Sequence, residues 1–269
     1  MTFQLIDIFY CLALGCVSGF FAGLLGIGGG LLLVPVYHTL FVHFGLPTDI
    51  AFTMSLATST ATILPTSIAS TIAHARQGGV QWKLVWAMSS ALVGGALLTS
   101  YFVPEFKASW LAALFAVFVS VVAVSMCCRD AEAANESSLP KLRWLWLISV
   151  GVGGISALVA IGGGVMIVPL LSHFGLQVRK AIATSAACGV PISAAATLGY
   201  CVHQSPIPDS PWLVGSVLWP AALCTGTGAL LTVSFGARCS RRWPTFWLRR
   251  LFAVLLIALA IKTVIATFT

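Results

Sequence analysis

Gly26-Ile27-Gly28-Gly29-Gly30 opens a run that ends at Pro35, and Ala160-Ile161-Gly162-Gly163-Gly164 opens its echo, which ends at Pro169. Extended backwards, the two blocks read GLLGIGGGLLLVP from Gly23 and ALVAIGGGVMIVP from Ala157, with seven of thirteen positions identical. Both lie in almost purely apolar surroundings. Glycine and proline break helices, and broken backbone at membrane depth is tolerated only where it is buried in protein or lines a cavity. A matched pair of breaks in two halves of a chain is a pointer to a transport site.

The surroundings fix the class. The chain has 269 residues, 59% hydrophobic and 8% charged, against roughly 25% charged in a soluble domain. Runs such as 111–127 are apolar on every face, which argues against the alternating strands of a barrel. The composition therefore predicts an all-α polytopic membrane protein. The net charge of +7 does not point to nucleic acid, because the basic residues fall in short loops between apolar runs. No basic residue precedes the first apolar run, so no cleavable signal peptide is expected. The eight cysteines show no C-x-x-C spacing and read as small packing residues. Neither a metal site nor a cofactor is expected.

Further echoes extend the repeat. His43-Phe44-Gly45-Leu46 returns as His173-Phe174-Gly175-Leu176, Ala57-Thr58-Ser59 as Ala183-Thr184-Ser185, and Gly95-Ala96-Leu97-Leu98-Thr99 as Gly228-Ala229-Leu230-Leu231-Thr232. The chain divides into a first transmembrane repeat at 1–128, a polar linker at 129–143 and a second repeat at 144–269. Each repeat offers five apolar segments: 4–26, 30–45, 49–74, 80–103 and 107–128, then 144–160, 164–176, 178–203, 211–236 and 246–268. The second of each set is too short for an upright span of ~20 residues. It either crosses at a tilt or re-enters.

With the linker on the cytoplasmic side, twelve of the fourteen Lys and Arg residues lie inside, and only Lys107 and Lys262 lie outside. The opposite orientation would violate the positive-inside rule. Equivalent loops carry opposite charge character, as an odd number of segments per half requires. The expectation is two inverted repeats of five segments, with Gly-broken helices near the midplane, in a multi-pass protein of the cell inner membrane.

The candidate substrate-binding residues follow. Gly28, Gly29 and Gly30, with Gly162, Gly163 and Gly164, permit a tight turn whose backbone N–H groups, at the start of the next helix, suit an anion. Thr58, Ser59, Thr184 and Ser185 supply hydroxyls. Pro35, Pro65, Pro169 and Pro191 are expected to kink their helices. Gly15, Gly19 and Gly23 read as helix packing instead. No carboxylate and no Lys or Arg sits deep in a span, which disfavours cation transport and fits a small anionic substrate held by backbone dipoles. His38 and His74 are the candidates for a proton relay, and His43, His173 and His203 read as interfacial. The Gly pentad is a poor dinucleotide loop, and no catalytic constellation appears, so no enzyme is expected.

The stretch Gly19 to Gly30, continuing to Val34-Pro35, together with Ala57-Thr58-Ser59 and the recurrence of both motifs, resembles the signature of the TauE/SafE sulfite exporter family. The resemblance implies a permease for sulfur-containing anions such as sulfite, thiosulfate or organosulfonates. Ala157 and Ala160 depart from it where the first half has Gly23 and Gly26. The alternatives are a non-transporting accessory subunit, or a transporter of another small anion or of a metal ion. The lipid bilayer is an expected partner, nucleic acid is not, and homo-oligomerisation stays open.

Overall fold

The computed structural model describes residues 5–25, 29–128, 142–202, 211–242 and 257–258. Gly26, Ile27 and Gly28, most of the expected linker, His203 and all but two residues of the expected last segment 246–268 lie outside the described residues. Five helices precede the linker: α1 (Leu5–Leu25), α2 (Gly30–His43), α3 (Thr48–Ala75), α4 (Trp82–Phe102) and α5 (Ala108–Cys128). Among the described residues four follow it: α6 (Leu142–Leu158), α7 (Gly164–His173), α8 (Val178–Val202) and α9 (Trp219–Arg242). The protein is an all-α membrane protein, interrupted among the described residues by one two-residue-per-strand hairpin, β1 (Leu213–Val214) with β2 (Val217–Leu218).

Among the described residues, four helices are long and apolar enough to cross a membrane: Leu5–Leu24, Trp82–Glu105, Val178–Val202 and Trp219–Cys239. α3 spans 28 residues but is rich in Ser and Thr, and from Ser55 onward these hydroxyl residues are buried inside the protein. The outer surface carries exposed Phe9, Leu98, Val117, Leu147, Leu198, Leu231 and Phe235, with Trp82, Trp110 and Trp144 near helix ends. Such a face suits lipid, and tryptophan favours the interface.

The packing exchanges when the halves are exchanged. α1 lies along α9 and α6 along α4; α3 packs on α9 and α8 on α4; α2 packs on α3 and α7 on α8; α3 and α8 meet each other. The small-residue stripes explain the tightest of these pairs. A Cβ at Gly15, Gly19 or Gly23 would collide with the α9 backbone at Thr225, Ala229 or Val233. One at Gly95 or Gly153 would collide with Val150 or Leu92 across α4 and α6. Thr232 Oγ1 also donates to the Cys16 carbonyl at 2.6 Å. The GALLT echo therefore builds helix contacts between the halves.

One segment departs from expectation. The apolar run 211–236 does not start as a helix: Leu213 pairs with Leu218 and Val214 with Val217 around a turn where Gly215 has φ +59°. α9 begins only at Trp219, with Pro220 in its first turn, and continues into Arg238, Arg241 and Arg242, which the sequence reading counted as loop. Four strand residues are too few for an alternating pattern to stand out from an apolar run.

Candidate functional site

Both glycine breaks close in the same way. Gly29 precedes α2 with φ +78°, ψ −5°, and Gly163 precedes α7 with φ +74°, ψ −16°. This left-handed geometry costs an L-residue roughly 1–2 kcal/mol and glycine nothing. The Gly29 carbonyl accepts from Leu32 N at 3.2 Å, and the Gly163 carbonyl from Met166 N at 3.1 Å. The N–H groups of Gly30, Leu31, Gly164 and Val165 point out of the helix starts without a protein acceptor among the described residues. Neither start has a side-chain cap.

The two breaks touch. Gly30 lies against the Ala160 carbonyl so closely that no Cβ would fit, with Ile63 Cδ1 on the same side. Ala160 itself has φ +50°. The Gly162 carbonyl packs against Gly189 of α8, where a Cβ would also come within 3.0 Å of Ser67 Oγ of α3. Residues 130 positions apart thus share one buried cluster at the contact between the halves.

The four hydroxyl residues divide. Thr58 Oγ1 accepts the backbone N–H of Leu218 at 3.1 Å, and Thr184 Oγ1 accepts that of Gln81 at 3.1 Å. Leu218 and Gln81 are each the residue before a helix, α9 and α4, and each belongs to the other half. Ser185 donates to its own helix at the Ile182 carbonyl, 2.8 Å away. Ser59 is fully buried, and among the described residues its hydroxyl has no partner. Pro35, Pro65, Pro169 and Pro191 lie inside α2, α3, α7 and α8.

A further matched pair went unread in the sequence. His74 Nε2 of α3 lies 3.2 Å from the Gly23 carbonyl, and Tyr200 of α8 donates its hydroxyl to the Ala157 carbonyl at 3.1 Å. Gly23 and Ala157 head the two aligned Gly blocks, so each long helix grips the end of the helix before the break. Tyr200→Phe should lower stability by about 1 kcal/mol, the net value of such a bond, read as a small fall in Tm of the purified protein. No fall would mean that the grip contributes nothing.

His38 is buried on α2 with its ring edge-on to Phe52 at 5.5 Å, and its Nε2 has no partner among the described residues. Among the described residues, no three His, Cys, Asp or Glu gather into a possible metal site, and Cys11, Cys188 and Cys239 are buried free thiols.

Residues 11–263 match the family described as Sulfite exporter TauE/SafE. A protein of Haemophilus influenzae named "Probable membrane transporter protein" is 30% identical over 95% of this chain and 97% of its own length. A protein of the same name from Xylella fastidiosa is 30% identical, covering 93% of this chain and 92% of its own. "Probable membrane transporter protein YunE" of Bacillus subtilis is 24% identical, covering 93% and 95%. No solved structure matches.

Proposed function

The chain belongs to the sulfite exporter TauE/SafE family, and from that premise we propose that this membrane transporter moves small sulfur-containing anions, such as sulfite, thiosulfate or organosulfonates, across the cell inner membrane. The observation that carries this reading is the contact between the two glycine breaks, where Gly30 meets Ala160 and uncapped N–H groups begin α2 and α7. A helix start of this kind attracts negative charge through its free donors and its dipole. The sequence puts no Lys or Arg deep in a span, so the anion is held loosely enough to leave again.

Thr58 and Thr184 fit the same reading in a modified role. Each oxygen is already occupied as an acceptor of a backbone N–H from the other half. The hydroxyl proton of each is left for a solute. Ser59 adds a donor with nothing else to satisfy it.

Inversion of the repeats is supported by the exchange symmetry of the helix contacts. It is supported also by how the loops gather: the turn before α4 lies at Thr184, near the start of α8, while the hairpin before α9 lies at Thr58 of α3. One set holds Arg76, Lys83, Arg179 and Lys180, the other Asp49 and Lys107. Repeats 1–128 and 144–269, joined by a cytoplasmic linker at 129–143, rocking against one another about the prolines of α2, α3, α7 and α8, would expose the breaks to each side in turn.

A thermal-shift panel of sulfite, thiosulfate, sulfate, sulfoacetate and chloride tests the substrate class. A bound anion at a hundredfold excess over its Kd should stabilise the protein by about 2.7 kcal/mol. If none of the sulfur anions raises Tm, the substrate reading fails.

A further inference from the structure

At the end of the molecule where α3 and α5 begin, the first half forms a pocket of 530 Å³ to which the second half contributes Ser216. Its size falls in the ~300–1,000 Å³ range of small-molecule sites. Asp49, Thr53 and Met54 of α3 line one side, Lys107 and Ser109 at the start of α5 another, and Ser216 of the hairpin the third. Asp49 and Lys107 are exposed, and among the described residues neither side chain has an ion-pair or hydrogen-bond partner. Ser216 is 3% exposed; its N–H donates to the Tyr200 carbonyl, while its hydroxyl is unpartnered.

The position is not arbitrary. Met54 lies one helical turn from Thr58, and Ser216 two residues before Leu218, whose N–H Thr58 accepts. The pocket thus borders the two segments, α3 and the hairpin, that the Thr58–Leu218 hydrogen bond ties together.

The charges decide what fits. A simple anion gains from Lys107 and from the first-turn N–H groups of α5 but is repelled by Asp49. A simple cation meets the reverse. A solute with an oxyanion at one end and an ammonium at the other satisfies both groups, and neither charge is then left opposite a like one. We propose that this pocket captures a small zwitterion, Lys107 Nζ donating to its sulfonate or carboxylate and the Asp49 carboxylate accepting from its ammonium. As a vestibule to the glycine breaks the pocket rests on the transport reading above; as a binding site it does not.

The purified full chain, titrated calorimetrically with 2-aminoethanesulfonate and with 2-hydroxyethanesulfonate, separates the two charges, since the second compound lacks only the ammonium. The amino compound should bind about fivefold tighter, the scale of one exposed ion pair. Asp49→Asn should erase that preference without weakening the hydroxy compound, and Lys107→Gln should weaken both. Both side chains are exposed, so the variants should keep the wild-type Tm. Equal affinities in the wild type, a preference that survives Asp49→Asn, or no binding of either compound overturns the proposal. Binding as expected, with no flux of any sulfur anion through the reconstituted protein, would instead sink the transport reading and leave this site standing.

Discussion

Replacing Gly30 by alanine should cut solute flux through the reconstituted protein by tenfold or more, while Gly94→Ala leaves it unchanged. Both glycines are helical, so the backbone tolerates alanine at each. They differ in what the added methyl meets. At Gly94 the space is open, and at Gly30 it is filled by the Ala160 carbonyl and Ile63 Cδ1. Overpacking of this kind costs about 1–3 kcal/mol, and the Ala160 carbonyl cannot swing aside as a flexible side chain could. Relief requires the start of α2 to move away from the second half, which separates the two sets of N–H groups the proposed site depends on. Sulfite or thiosulfate flux into proteoliposomes, with Tm of the same preparations as a check on folding, reads the effect. Wild-type flux from Gly30→Ala would show that close approach of the breaks is not needed for transport.

The sequence made the breaks legible because glycine triplets have few other uses inside apolar runs, and the helix bounds fell near those of the apolar segments. Other features were hidden for physical reasons. The sequence shows Thr58 and Thr184 as hydroxyls but not which backbone N–H groups they accept, because those partners lie 160 and 103 residues away in the other half. His74 and Tyr200 stand at the same distance from their Ala-Thr-Ser motifs, yet they differ in type, so a search for identical echoes passed over them. In the sequence Lys107 marks only orientation, and Asp49 belongs to no motif. Their meeting in one pocket depends on the turn before α5 folding toward the first turn of α3, which no local pattern encodes. The stripe Gly15, Gly19, Gly23 was read correctly as packing, because small residues at every fourth position have one obvious use on a helix.

The threonine contacts set up the second large effect, and it is asymmetric. Thr58→Val and Thr184→Val are the same change at equivalent places, each removing the acceptor of one backbone N–H. Valine keeps the shape, so the cost is that of the donor left behind. Leu218 is 2% exposed and Thr58 is fully buried, so the Leu218 N–H has nowhere to turn. Leaving such a group unsatisfied costs about 1–3 kcal/mol. Gln81 is only half-buried, and water can replace Thr184 at modest expense. Thr58→Val should therefore lower Tm clearly, and Thr184→Val by much less, with Thr58→Ser close to wild type because it restores the acceptor. Equal losses would mean that both helix starts are sealed from water alike. A loss as large in Thr58→Ser as in Thr58→Val would assign the effect to the methyl group and not to the hydroxyl. In either case the hydrogen bonds between the halves would no longer explain why Ala-Thr-Ser appears twice.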